Sequence, residues 1–103
     1  MDSCAGVDMV DENKIKAVID YLRGEFPQCK IEDWPVIENQ AHHFRIIDEK
    51  WAFRTEVSEE FLSRYDKSAI SDKLRKFTLA EHLRELPSDV VLVTSTGLKL
   101  DYE

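Results

Sequence analysis

The sequence is poor in the residues that interrupt or staple a chain. Its 103 residues include only 3 glycines, 3 prolines and 2 cysteines. So little Gly and Pro, beside 43% hydrophobic residues, argues against a low-complexity or disordered chain. Gly6, Gly24 and Gly97 are isolated, so no glycine-rich loop exists to cradle a phosphate. Cys4 and Cys29 are too few for the disulfide framework of a small secreted domain. Both are expected as free thiols in a reducing compartment. No apolar run is long enough for a membrane-spanning helix. Met1-Asp2-Ser3-Cys4 has neither the basic start nor the apolar stretch of a signal peptide, and the expected localisation is cytoplasmic.

Positive charge is also in short supply. The chain carries 14 Lys and Arg against 21 Asp and Glu, a formal net charge of −7. Nucleic-acid affinity comes mainly from cations that neutralise phosphates, and anionic membranes attract the same cations. The overall balance therefore favours neither partner, and no membrane binding is expected. Only a local cluster of basic residues would make a case for nucleic acid.

What is present is one domain's worth of alternating patterns. Ile15, Val18, Ile19, Leu22 and Phe26 recur at helical spacing and predict a helix over 12–24. Asp11 is its N-cap, Val10 and Ile15 a hydrophobic staple, and Gly24 with Pro27 the stop. Residues 1–10 show no periodicity and are expected to form a flexible tail; 11–103 read as a single domain. A strand is expected at 28–33, with Cys29 and Ile31 inward and Trp34-Pro35 ending it, followed by a polar loop over 36–41. Two β-prone runs, 42–47 and 51–57, joined by Asp48-Glu49-Lys50, predict a hairpin. Alternation places Phe44, Ile46, Trp51, Phe53, Thr55 and Val57 on one face. His43, Arg45, Arg54 and Glu56 fall on the other.

Three helix starts follow. Ser58 caps a helix carrying Phe61, Leu62 and Tyr65, and Asp66 caps one carrying Ile70, Leu74 and Phe77. Thr78-Leu79-Ala80-Glu81 reads as a capping box for a third, with Leu79, Leu83 and Leu86 inward and Pro87 closing it. Val90-Val91-Leu92-Val93 predicts a strand buried on both faces or nearly so. Thr96-Gly97 turns the chain into a last strand with Leu98, Leu100 and Tyr102. The order α-β-β-β-α-α-α-β-β predicts an α+β two-layer sandwich, a mostly antiparallel sheet with helices packed on one face. Phe44, Phe53, Ile70, Leu74, Leu83 and Leu92 are the expected core.

Little in this pattern carries a reaction. His42 and His43 are neighbours on a strand and point to opposite faces, and His82 lies on a distant helix. No zinc or calcium spacing is present, so no metal and no cofactor is expected. His42 is expected at the sheet edge and His43 in solvent. Cys29 sits on an inward strand face, where a free cysteine behaves as a small hydrophobe. Asp48-Glu49 and Glu59-Glu60 lie at a turn and a helix N-terminus, where acidic residues need no catalytic explanation. The expected activity is therefore non-enzymatic.

Two surfaces remain. Arg64, Lys67, Lys73, Arg75, Lys76 and Arg84 form a basic patch in the helical region 64–84. It reads either as a docking face for RNA or an acidic partner, or as solvated helix faces whose cations favour helix C-termini. Arg45 and Arg54 share the outward hairpin face with His43, directly opposed or diagonal according to the turn register. Like charges there are destabilising unless neutralised. A bound carboxylate or phosphate would do so through the guanidinium forks, and so would Glu56, Glu49 or Glu32.

The strand ending in Val57-Ser58 and followed by Phe61 resembles the BolA-like proteins, which also run helix, strands, helices, strand. The basic, histidine-bearing signature of that family's helical part is not present here. The resemblance implies a KH-like or related small α+β fold. Two functions follow as expectations. One is a small interaction module that binds another protein or a second copy of itself. The other is a BolA-like or KH-like nucleic-acid-binding or regulatory protein using the positive region 64–84.

Overall fold

The computed structural model describes residues 12–86 and 89–100. The expected tail over 1–10, the cap Asp11, the staple residue Val10, Cys4, Pro87 and Tyr102 lie outside the described residues. Helix α1 (Glu12–Glu25) buries Val18, Tyr21 and Leu22, the stripe set by its 3.6-residue period. Phe26 donates its N–H to Leu22 O at 2.7 Å and is itself buried.

Strands β1 (Lys30–Val36), β2 (Ala41–Ile47) and β3 (Ala52–Ser58) form an antiparallel meander. β1 does not stop at Trp34-Pro35, as the proline suggests, but runs on to Val36. It is an edge strand, and an edge tolerates a residue with no N–H to give. The expected polar loop shrinks to a 3₁₀ turn, Ile37–Asn39, closed by Gln40 at φ 51°. Cys29 lies just before β1, half-buried against the core. At the hairpin turn Asp48 N–H donates to Trp51 O at 2.8 Å. Trp51 was expected inward; it is 51% exposed, because it belongs to this turn and the pleat of β3 begins only at Ala52.

The chain then wraps three helices over the sheet. In α2 (Glu59–Arg64) Ser58 Oγ accepts from Phe61 N–H at 3.0 Å. In α3 (Lys67–Lys76) Asp66 Oδ1 accepts from Ala69 N–H at 3.0 Å. Both are side-chain N-caps of the expected kind. The predicted capping box at α4 (Leu79–Glu85) does not form. Thr78 is the single residue between α3 and its C-cap Phe77 on one side and α4 on the other. Reversing the chain there forces it to φ 54°, ψ 44°, so its hydroxyl cannot reach back over the first turn. Thr78 Oγ1 bonds instead to Phe77 O and to His82 Nδ1. Lys14 Nζ donates to Leu62 O at 2.7 Å and ties α1 to α2.

β4 (Val90–Thr94) pairs parallel with β3, and β5 (Gly97–Leu100) pairs antiparallel with β4. The sheet order is β1-β2-β3-β4-β5, an α+β layer pair with one parallel seam. The sheet residues of the core, Phe44, Ile46, Phe53, Val57, Val91 and Val93, all lie on one face and meet Leu22, Phe61, Ile70, Leu74 and Leu83 from the helices. Five of the six expected core residues are buried. Leu92 is not: it points to the opposite face with Val90, and the described helices cover β4 on the other side. Thr55 is buried at no cost in unmet hydrogen bonding, since Oγ1 donates to Val91 O at 2.7 Å. Tyr21 Oη accepts from Ala80 N–H at 3.2 Å, and burial pushes its phenol pKa up.

Candidate functional site on the uncovered sheet face

The strand registers define what the second face carries. One row across the sheet runs Glu32, Arg45, Arg54, Val90. The next runs Trp34, His43, Glu56, Leu92, Lys99. None of these residues belongs to the core cluster. Among the described residues no helix supplies a buried partner on this side.

In the first row Arg45 and Arg54 are directly paired and both exposed. The hairpin register, open from sequence, is thus the opposed one. Arg45 Nη1 lies 4.0 Å from Glu32 Oε1, a long contact between half-exposed groups that contributes little. Arg54 has no ion pair with any described residue. Glu56 and Glu49, the other internal candidates, do not reach either guanidinium.

In the second row the structure removes His43 from solvent. Trp34 on the neighbouring strand stacks on its ring, centroids 4.7 Å apart and planes 16° apart, and His43 is only 7% exposed. The expectation of a solvated His43 fails because β1 extends far enough to bring Trp34 over it. His43 Nδ1 contacts Glu56 Oε2 at 3.1 Å, and Asn39 Nδ2 donates to Glu56 Oε1 at 3.2 Å. His43 Nε2 is buried with no partner. So the face keeps Arg45 and Arg54 together, while His43 serves beneath Trp34 rather than beside them. His42 points to the other face, as alternation requires, and its Nε2 meets Asp33 Oδ2 at 2.7 Å. It lies on the second strand rather than at the sheet edge. Among the described residues no group of three or more His, Cys, Asp or Glu is placed to hold a metal ion.

Beside Glu56 the face dips into a cleft of about 490 Å³ lined by Asn39, Ala41, Glu56, Ser58, Leu92, Val93 and Thr94. This feature was not legible in the sequence. It depends on the 3₁₀ turn that returns Asn39 toward β3 and on β4 lying parallel to β3.

The six basic residues of the helical region are spread over α2, α3 and α4, and four have partners within the chain. Arg64 faces Glu60 at 3.9 Å and Arg75 faces Asp72 at 3.0 Å. Lys73 lies 5.0 Å from the centroid of the Tyr65 ring. Arg84 donates to Glu25 O at 2.8 Å and covers the Phe26 ring at 4.7 Å, so it caps the end of α1. Lys67 and Lys76 are exposed. Cys29 is a free thiol whose pKa burial pushes up, with the charge of Asp48 adding to it. A thiol kept protonated is a weak nucleophile.

No protein family, no curated protein and no solved structure matches this chain, so the BolA-like and KH-like resemblance gains no support from known proteins.

Proposed function

We propose that the chain is a non-enzymatic interaction module that docks an acidic segment of another protein on the sheet face that no described helix covers. The observation that carries this is the direct pairing of Arg45 with Arg54 on a face that no described helix covers. Among the described residues that face holds four cations, Lys30, Arg45, Arg54 and Lys99, against two carboxylates, Glu32 and Glu56, in a chain of net charge −7. Its positive balance complements an acidic partner and repels a second copy presenting the same surface. Trp34, 40% exposed, adds an aromatic anchor next to the arginines, the composition that dominates binding energy at protein interfaces. Catalysis finds less support. His43, buried and bonded to Glu56, has its second ring nitrogen sealed from solvent.

The test is a calorimetric titration with peptides of alternating Asp or Glu and one aromatic residue, against lysine-rich peptides of equal length. Acidic peptides should bind, more weakly as salt rises. Arg45→Gln with Arg54→Gln should weaken binding at least tenfold, while Lys67→Glu with Lys76→Glu should not. Equal binding by the arginine variant, or a dimer dispersed by Trp34→Ala, would overturn the reading in favour of another surface or a second copy.

A further inference from the structure

We propose that the cleft beside Glu56 is a binding site for a primary alkylammonium group. The site is distinct from the arginine row, and the inference does not depend on the docking proposal.

The polar end of the cleft is organised by hydrogen bonds to Glu56. An ionised carboxylate only accepts, so the 3.1 Å contact between His43 Nδ1 and Glu56 Oε2 places a proton on Nδ1. His43 Nε2 is buried with no hydrogen-bond partner. Asn39 donates to the other Glu56 oxygen through Nδ2. The two donors fix the orientation of the Glu56 carboxylate from one side. The Glu56 side chain is only 13% exposed, and no Lys or Arg among the described residues pairs with it. A carboxylate has about four acceptor sites; two are taken, and the carboxylate lines an open cleft.

A largely buried, oriented carboxylate with no Lys or Arg partner among the described residues is what a cation-binding subsite requires. The walls select the kind of cation. Ala41 and Leu92 offer apolar surface to a methylene stem, with the Ser58 and Thr94 hydroxyl-bearing side chains beside them. The volume of about 490 Å³ accommodates a four-carbon chain and its head group. Each Glu56 oxygen already accepts one hydrogen bond, so a guanidinium fork finds both of its acceptors partly occupied. A compact ammonium needs one remaining site. The same chemistry is available from a lysine side chain of a partner or from a free amine.

The experiment is a ¹H–¹⁵N NMR titration of the full chain with n-butylammonium chloride, with sodium chloride and 1-butanol as matched controls. Saturable shifts are expected at the Asn39 side-chain amide and the backbone amides of Glu56, Leu92 and Thr94, and only with the amine. Glu56→Gln should weaken binding at least tenfold. Leu92→Phe fills the cleft from the uncovered face without touching the core, and should also abolish the shifts. It serves as the deciding variant if Glu56→Gln does not fold. Binding that is tighter for a lysine-containing peptide than for n-butylammonium identifies a partner's lysine as the source, and equal binding identifies a free amine. Shifts matched by sodium chloride, unchanged binding in Leu92→Phe, or equal binding of n-butylguanidinium would overturn the proposal.

Discussion

Arg45 and Arg54 face each other directly across the β2–β3 ladder, and among the described residues the carboxylate that pairs with either is Glu32, 4.0 Å from Arg45. Like charges at opposed positions cost a few tenths to about 1 kcal/mol. The double replacement Arg45→Gln, Arg54→Gln is therefore expected to leave stability unchanged or raise it by about 0.5 kcal/mol. Urea denaturation of the purified variant checks this. A clear loss of stability would show that the arginines hold the hairpin together and are not available to a ligand.

Phe44 and Leu92 lie on opposite faces of the sheet, and their truncation should differ accordingly. Phe44 is fully buried, and Phe44→Ala should cost about 3–5 kcal/mol. Leu92→Ala should cost less than the roughly 2 kcal/mol floor for a buried leucine, because no described helix packs over it. Similar midpoint shifts for the two would mean that Leu92 is covered in solution.

The two helix starts at Ser58 and Thr78 are predicted to respond in opposite directions. Ser58→Ala removes the acceptor for Phe61 N–H and should destabilise by about 1 kcal/mol. Thr78 sits at φ 54°, where a β-branched residue is strained and glycine is not. Thr78→Gly should raise stability by about 0.5–1 kcal/mol even after glycine's larger entropy in the unfolded chain. Thermal melts of the two variants settle the sign.

Asp66 gives a pH dependence with a definite direction. Its hydrogen bonds from the Ser68 hydroxyl and the Ala69 and Ser68 N–H groups hold its carboxyl below the ordinary value of 3.8. The folded state therefore binds this proton less readily than the unfolded state. The resulting stabilisation is present above the unfolded value and is lost as pH falls through the lower folded one. Asp66→Asn keeps a capping acceptor but should flatten this part of the acid limb. Melting temperatures recorded from pH 2 to pH 6 would show an unchanged slope if the cap contributed nothing to the titration.

The fold was legible where period and caps agree. The stripe Ile15, Val18, Leu22 gave α1, and Ser58 and Asp66 gave the starts of α2 and α3. Alternation through Phe44, Ile46, Phe53 and Val57 sorts the two sheet faces, and so places Arg45 and Arg54 together from the pattern alone. What stayed hidden depends on chain reversals and strand neighbours. Trp34-Pro35 reads locally as a stop, yet β1 is an edge and runs through it, which is why the Trp34–His43 stack was missed. Thr78-Leu79-Ala80-Glu81 has the letters of a capping box, but a two-residue link between helices, Phe77-Thr78, overrides them. The cleft needs Asn39, Glu56 and Thr94 from three separate segments, and no local spacing reports that meeting.

The parallel seam between β3 and β4 also sets an order of assembly. The meander of β1, β2 and β3 and the β4–β5 pair are each closed by short turns. Their join is not local: Thr55 and Val91, which share a hydrogen bond, are 36 residues apart. Closing that span has an entropic cost that is offset only after the helices have packed. The seam is then the last part of the sheet to zip and the first to open. Amide exchange in β4 and β5 should reveal a partly unfolded form in which the three-stranded meander persists alone, its β3 edge bare and ready to pair with another strand.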